Sequence, residues 1–281
     1  MITSPPPPYA TNSIGGLTPE QFRMNRFCDI AAKYEIRPDF CSKLRLLEDY
    51  EIILIADDSG SMATRISDIP STNPLASTSS FAFAPSKTRW LELLEFSNIV
   101  VEIASVMDSD GIDIYFLNRP PLLNIHNPLQ PEFLTAFSFP PRGSTPLVKT
   151  LQSVIASRCR TGTSTDCKKN TLIIIATDGT PDEGVDEFIK TIKFRPPNIN
   201  ISILACTDDD AAVSYMNNID RIIPGVDVVD DYRSELIEIR KARGSHFPFS
   251  YGDYVVKILL GSIDPVMDKL DESNSCCCSV S

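Results

Sequence analysis

The chain has 281 residues, of which 42% are hydrophobic and 22% charged, ordinary values that exclude wholesale disorder. Its 26 Lys and Arg face 37 Asp and Glu, a net charge of −11. So acidic a chain lacks the basic footprint that phosphate neutralisation needs, which argues against nucleic acid as a partner. The longest apolar runs, at 52–56 and 172–176, fall far short of the ~18 residues of a membrane span. The start, MITSPPPPYA, has neither the positive charge nor the apolar stretch of a secretory leader. The expectation is a cytoplasmic protein whose eight cysteines are mostly free thiols.

Residues 1–17 are Pro, Ser, Thr, Asn and Gly with little to bury, and read as a disordered, proline-rich arm. Within it Pro6, Pro7 and Tyr9 make a P-P-x-Y pattern similar to a WW-domain ligand. Consecutive prolines pre-set the polyproline II conformation that docks on an aromatic groove. A helical extension spans 18–49. Thr18, Pro19 and Gln21 form a capping box with proline at the first helical position, and a second short helix over 39–47 turns Leu44 and Leu47 towards a core.

From residue 50 to 261 the pattern is strand alternating with helix. Short continuous apolar runs at 52–56, 111–117, 171–177 and 200–205 predict strands buried on both faces. Helical stretches over 88–107, 146–157, 182–192 and 209–218 separate or follow them, the first apolar nearly all round after Ile99. The order predicts one α/β domain, a doubly wound and mostly parallel sheet. Residues 66–86, rich in Ser, Thr and Pro, read as a loop inserted after the first strand, and 262–281 as a tail.

In such sheets ligands sit at the carboxyl ends of strands. The first strand runs into Asp57-Asp58-Ser59-Gly60-Ser61, a loop before a helix carries Gly143-Ser144-Thr145-Pro146, and a later strand ends in Asp178-Gly179. All the polar groups are hydroxyls and carboxylates, without His or Cys. That donor set disfavours zinc and copper and suits Mg²⁺ or Mn²⁺. The bland alternative has Asp57 and Ser61 capping a turn and a helix.

Strand–DxSxS (Asp57, Ser59, Ser61), then Thr145 in GSTP, then a strand ending in TDG (Asp178) resembles the metal-ion-dependent adhesion site of the von Willebrand factor A domain. The resemblance spans about 50–261. It implies that Ser59 and Ser61 meet the cation directly, Thr145 directly or through water, and Asp57 and Asp178 mostly through waters. One coordination position then stays open for an Asp or Glu of a partner protein. Asp58, at a variable position of the motif, is expected to be exposed.

Two alternatives stand beside this binding module. One is a scaffold or regulatory subunit with a structural metal; the other is a metal-dependent hydrolase of haloacid-dehalogenase type. The second needs a general acid two residues after the first Asp, where Ser59 stands. Neither a G-x-S-x-G elbow nor a phosphate loop is present, and His126 and His246 lack partner motifs.

Cys28, Cys41 and Cys206 read as buried thiols, and Cys159 and Cys167 as a possible hairpin pair disfavoured by the missing leader. Asp208, Asp209 and Asp210 read as an acidic helix start, and 227–231 (DVVDD) as a solvated loop edge. The chain ends Cys276-Cys277-Cys278-Ser279-Val280-Ser281. Cys278 matches the C-a-a-X position for prenylation. One lipid anchors only marginally and the preceding segment is acidic, so Cys276 and Cys277 are expected to carry palmitoyl groups. That arrangement, similar to Ras-type GTPases, would place the protein peripherally on the cytoplasmic face of a membrane.

Overall fold

Thr18 and Gln21 exchange side-chain-to-backbone hydrogen bonds with Pro19 in the first turn, so a helix starts where the capping pattern predicts. The computed structural model describes residues 18–66, 87–108, 110–160, 169–207 and 210–272. Expectations for Pro6, Pro7 and Tyr9, for 67–86, for Cys167, Asp208 and Asp209, and for Cys276, Cys277 and Cys278 lie outside these residues. The first helix is α1 (Pro19–Lys33); α2 (Pro38–Lys43) and a 3-10 turn over Leu44–Asp49 follow, with Leu44 and Leu47 fully buried.

Six strands form one sheet: β1 (Tyr50–Ala56), β2 (Ile112–Phe116), β3 (Leu122–Ile125), β4 (Asn170–Thr177), β5 (Ile199–Ala205) and β6 (Val226–Val229). Their spatial order is β3-β2-β1-β4-β5-β6. Every neighbouring pair is parallel except β2 with β3. The helices are α3 (Arg89–Met107), α4 (Pro131–Ser138), α5 (Leu147–Arg160), α6 (Val185–Lys193), α7 (Asp210–Ile222), α8 (Tyr232–Arg243), α9 (Tyr251–Leu260) and α10 (Pro265–Asp268). The doubly wound α/β expectation therefore holds.

Strand alternation divides the core in two. Ile52, Leu54 and Ala56 pack with Ile30 of α1, Phe96 of α3 and Val255 of α9. Ile53 and Ile55 pack with Leu151 of α5, Phe188 of α6 and Met216 of α7. Because both faces are covered, the central strands carry continuous apolar runs rather than alternating ones. The two ends of the described chain close on each other. A Cβ on Gly252 would lie 2.2 Å from the Tyr34 carbonyl oxygen, so α9 reaches the backbone just after α1 only because residue 252 has no side chain. Met267 and Leu270 are buried as well.

Strand order also places the site. From β1 the chain proceeds to β2 on one side, while β4 proceeds to β5 on the other. The crevice beyond the carboxyl ends of β1 and β4 is thus the topological switch point, where open α/β sheets hold ligands.

Three local expectations are corrected. Residues 227–231 are not a solvated loop edge: 226–229 form β6, and Asp227 is only 2% exposed, its charge turned into a pocket beneath α9. Asp58 is not exposed but fully buried, because Arg119, from the loop after the next strand, pairs with it. Cys28 is exposed and Cys41 half-buried, leaving Cys206 as the buried thiol among the three. His126 and His246 are exposed. No helix among the described residues is long and apolar enough to cross a membrane.

Candidate metal centre

The loop after β1 turns back over the sheet because Asp57 organises it. Its Oδ1 accepts the Ser59 amide at 2.9 Å, an Asx-type turn. Its Oδ2 accepts the Thr177 hydroxyl at 2.6 Å, from the last residue of β4. Asp57 is fully buried. Burial raises its carboxyl above the ordinary aspartate range; the bonds from Thr177 and Ser59 act against that rise and neighbouring Asp178 adds to it.

Ser59 Oγ lies 3.0 Å from Ser61 Oγ, and Ser61 Oγ donates to Asp178 Oδ1 at 2.7 Å. A continuous chain of oxygens therefore runs from the β1 loop to the β4 loop. The third segment closes over it. The Gly60 amide donates to the Gly143 carbonyl at 3.1 Å, and the Asp182 amide to the Thr145 carbonyl at 3.0 Å. Thr145 is 8% exposed, and its Oγ1 would sit 3.8 Å from a Cβ placed on Gly179, so its hydroxyl overlies the Asp178-Gly179 turn. Among the described residues that hydroxyl makes no hydrogen bond. The five positions Asp57, Ser59, Ser61, Thr145 and Asp178 are thus gathered on one rim.

Sequence reasoning missed the groups that support this rim. Arg89, in the first turn of α3, places Nη1 2.8 Å from Asp178 Oδ2 and Nη2 3.2 Å from Thr207 Oγ1. One guanidinium therefore already offsets part of the charge of Asp178. Thr177 could have been suspected from its place in TDG; nothing near Arg89 announces it, since it lies 89 residues from its partner. Asp58 belongs to a second, structural network. Its Oδ1 accepts the Asn118 amide at 2.8 Å, and Arg119 Nε lies 2.9 Å from its Oδ2. The same guanidinium covers the Trp90 ring at 4.9 Å and bonds the Pro140 carbonyl at 2.6 Å. Asp58 thereby fixes the loop through Asn118 and Arg119, and Asn118 Nδ2 also donates to the Ser144 carbonyl beside Thr145 at 2.9 Å.

The donor chemistry fits a small hard cation. All five positions offer oxygen, none offers nitrogen or sulfur, and the carboxylate that burial strains most, Asp57, is the one a nearby positive charge would relieve.

A second acidic concentration lies at the β6 edge. Lys257, fully buried on α9, pairs with Glu235 at 2.9 Å and Asp271 at 3.3 Å. Burial alone would lower its ammonium, but Asp227, Glu235 and Asp271 outweigh that and hold it raised. Burial pushes Asp227 up to about 8 against the pull of Lys257, and Glu235 up to about 7.

No protein-family model matches the chain, and no curated protein matches it. Among solved structures, the crystal structure of manganese-loaded Plasmodium vivax TRAP protein aligns with a TM-score of 0.41 and 14% identity, over 67% of this chain and 71% of that one. The site's own geometry remains the ground for reading it.

Proposed function

We propose that the chain is a metal-dependent protein-binding module of the von Willebrand factor A type, in which a bound Mg²⁺ or Mn²⁺ presents an open coordination position to an Asp or Glu of a partner. The observation that carries this reading is the hydrogen-bonded chain Ser59–Ser61–Asp178, set beside Asp57 and Thr145 at the switch point of the sheet. Ser59, Ser61 and Thr145 would offer neutral hydroxyls, with Asp57 and Asp178 behind them. A cation held mainly by neutral oxygens stays electrophilic and takes an external carboxylate well. In this reading the chain's residues hold and orient the cation, and no catalytic step is assigned.

The test is affinity capture by the full chain in Mg²⁺, in EDTA and with Asp57→Ala. The reading expects a partner retained in Mg²⁺ alone and released when its own contacting Asp or Glu becomes Ala. Capture that is identical in all three conditions overturns it.

The Arg89–Asp178 ion pair favours a second reading, a scaffold in which the guanidinium takes the place of the metal. In that case divalent ions leave the melting temperature unchanged in both wild type and Arg89→Met.

A further inference from the structure

Alternation along β6 puts Val226 and Val228 in one core layer and turns Asp227 to the opposite face, which it shares with Val229. There its carboxylate meets the end of α9 so closely that a Cβ on Gly261 would lie 1.8 Å from Asp227 Oδ2. That oxygen is buried without a hydrogen-bond partner among the described residues. A buried carboxylate oxygen left in this state is a net cost to the fold unless a ligand satisfies it.

The same carboxylate group lies beside two others. Oxygens of Asp220, in the last turn of α7, of Asp227, and of Asp268, at the end of α10, all lie within 4.8 Å of one another. Lys257 attracts Asp227 through space, but its direct ion pairs go to Glu235 and Asp271, the other half of the pocket, so the trio is left without a bonded cation among the described residues. Among the described residues no ion pair or hydrogen bond reaches the carboxylates of Asp220, Asp227 and Asp268. Ligand oxygens around one Ca²⁺, at about 2.3–2.6 Å each, stand at most ~5 Å apart, so the trio has the spacing of a coordination shell. A cleft of about 590 Å³ opens onto it, room for the ion and the waters that complete its shell.

We propose that Asp220, Asp227 and Asp268 form a second divalent-cation site, at the β6 edge and separate from the β1–β4 rim. Three carboxylates with no neutral side-chain donor suit Ca²⁺, whose coordination is flexible and charge-driven, better than Mg²⁺, which dehydrates reluctantly. The ion would tie together the end of α7, β6 and α10, three segments that otherwise meet as like charges.

The experiment is equilibrium dialysis of the chelator-treated full chain against Ca²⁺, comparing wild type, Asp57→Ala, Asp227→Asn and Asp268→Asn. The proposal expects Ca²⁺ to bind Asp57→Ala, in which the rim is disabled. It expects affinity to fall about tenfold or more in Asp227→Asn and in Asp268→Asn, because charge count sets the affinity of such sites. Asp268 is half-exposed, so its variant tests the site even if Asp227→Asn does not fold. Absence of Ca²⁺ binding by folded Asp57→Ala at millimolar concentration overturns the proposal, as does binding that neither asparagine variant weakens. Mg²⁺ in a parallel arm competing equally with Ca²⁺ would overturn the assignment to a calcium-preferring site.

Discussion

Ser61 Oγ lies 2.7 Å from Asp178 Oδ1, a hydrogen bond between residues 117 positions apart. It joins the loops that leave the two central strands, and so holds the candidate donors together before any ion arrives. Preorganisation of this kind lowers the entropy cost of assembling a coordination shell. It also ties metal binding to whatever else grips Asp178, and the main such group is Arg89.

Arg89→Met should lower stability in EDTA by about 3 kcal/mol, since removing one partner of a buried ion pair leaves the other uncompensated. Saturating Mg²⁺ should restore most of the loss, because the ion supplies the missing charge to Asp178. Thermal melts with and without Mg²⁺ measure both quantities. A metal-induced rise no larger in the variant than in wild type would separate Arg89 from the site.

Thr177→Val keeps the β-branched shape that suits β4 but removes the 2.6 Å hydrogen bond to buried Asp57. The cost in EDTA should be about 1–3 kcal/mol, the penalty of leaving a buried acceptor short of a donor. Urea denaturation gives the value directly; a neutral substitution would mean that Asp57 finds another donor.

Lys257→Met should destabilise by about 3–5 kcal/mol, because Glu235, itself only 1% exposed, is left as a buried charge. Adding Glu235→Leu should recover part of the loss, as replacing both members of a buried pair costs less than breaking it. The double variant being as unstable as the single one would place the cost in packing rather than charge.

Gly252→Ala should cost about 1–3 kcal/mol. The new methyl meets the Tyr34 carbonyl, a backbone group that cannot turn aside, so the extension preceding β1 and α9 must move apart. Amide hydrogen exchange should show lost protection in α1, α2 and α9 together, while the β1–β4 centre is unaffected.

The central sheet was legible because its strands are buried on both faces: 52–56 and 172–176 carry no polar residue, and no other element has that pattern. The short edge strands escaped. β3 leaves Leu123 exposed and Asn124 with positive φ, and β6 reads as acidic because the charge of Asp227 is turned into a pocket. Five donor positions were legible from spacing within three short segments, each set by a strand end. Asp58 was misplaced and Arg89 unseen for one reason: each is fixed by a partner about 60–90 residues distant, and local periodicity holds no record of such pairs.

The most direct test is a calorimetric titration of the full chain with Mn²⁺, alongside Asp57→Ala and Ser61→Ala verified as folded by circular dichroism. The account predicts saturable binding by wild type at millimolar concentration or below, with one class of site lost in both variants. Wild-type protein that is folded yet binds no Mn²⁺, or binding that both variants retain in full, would contradict it.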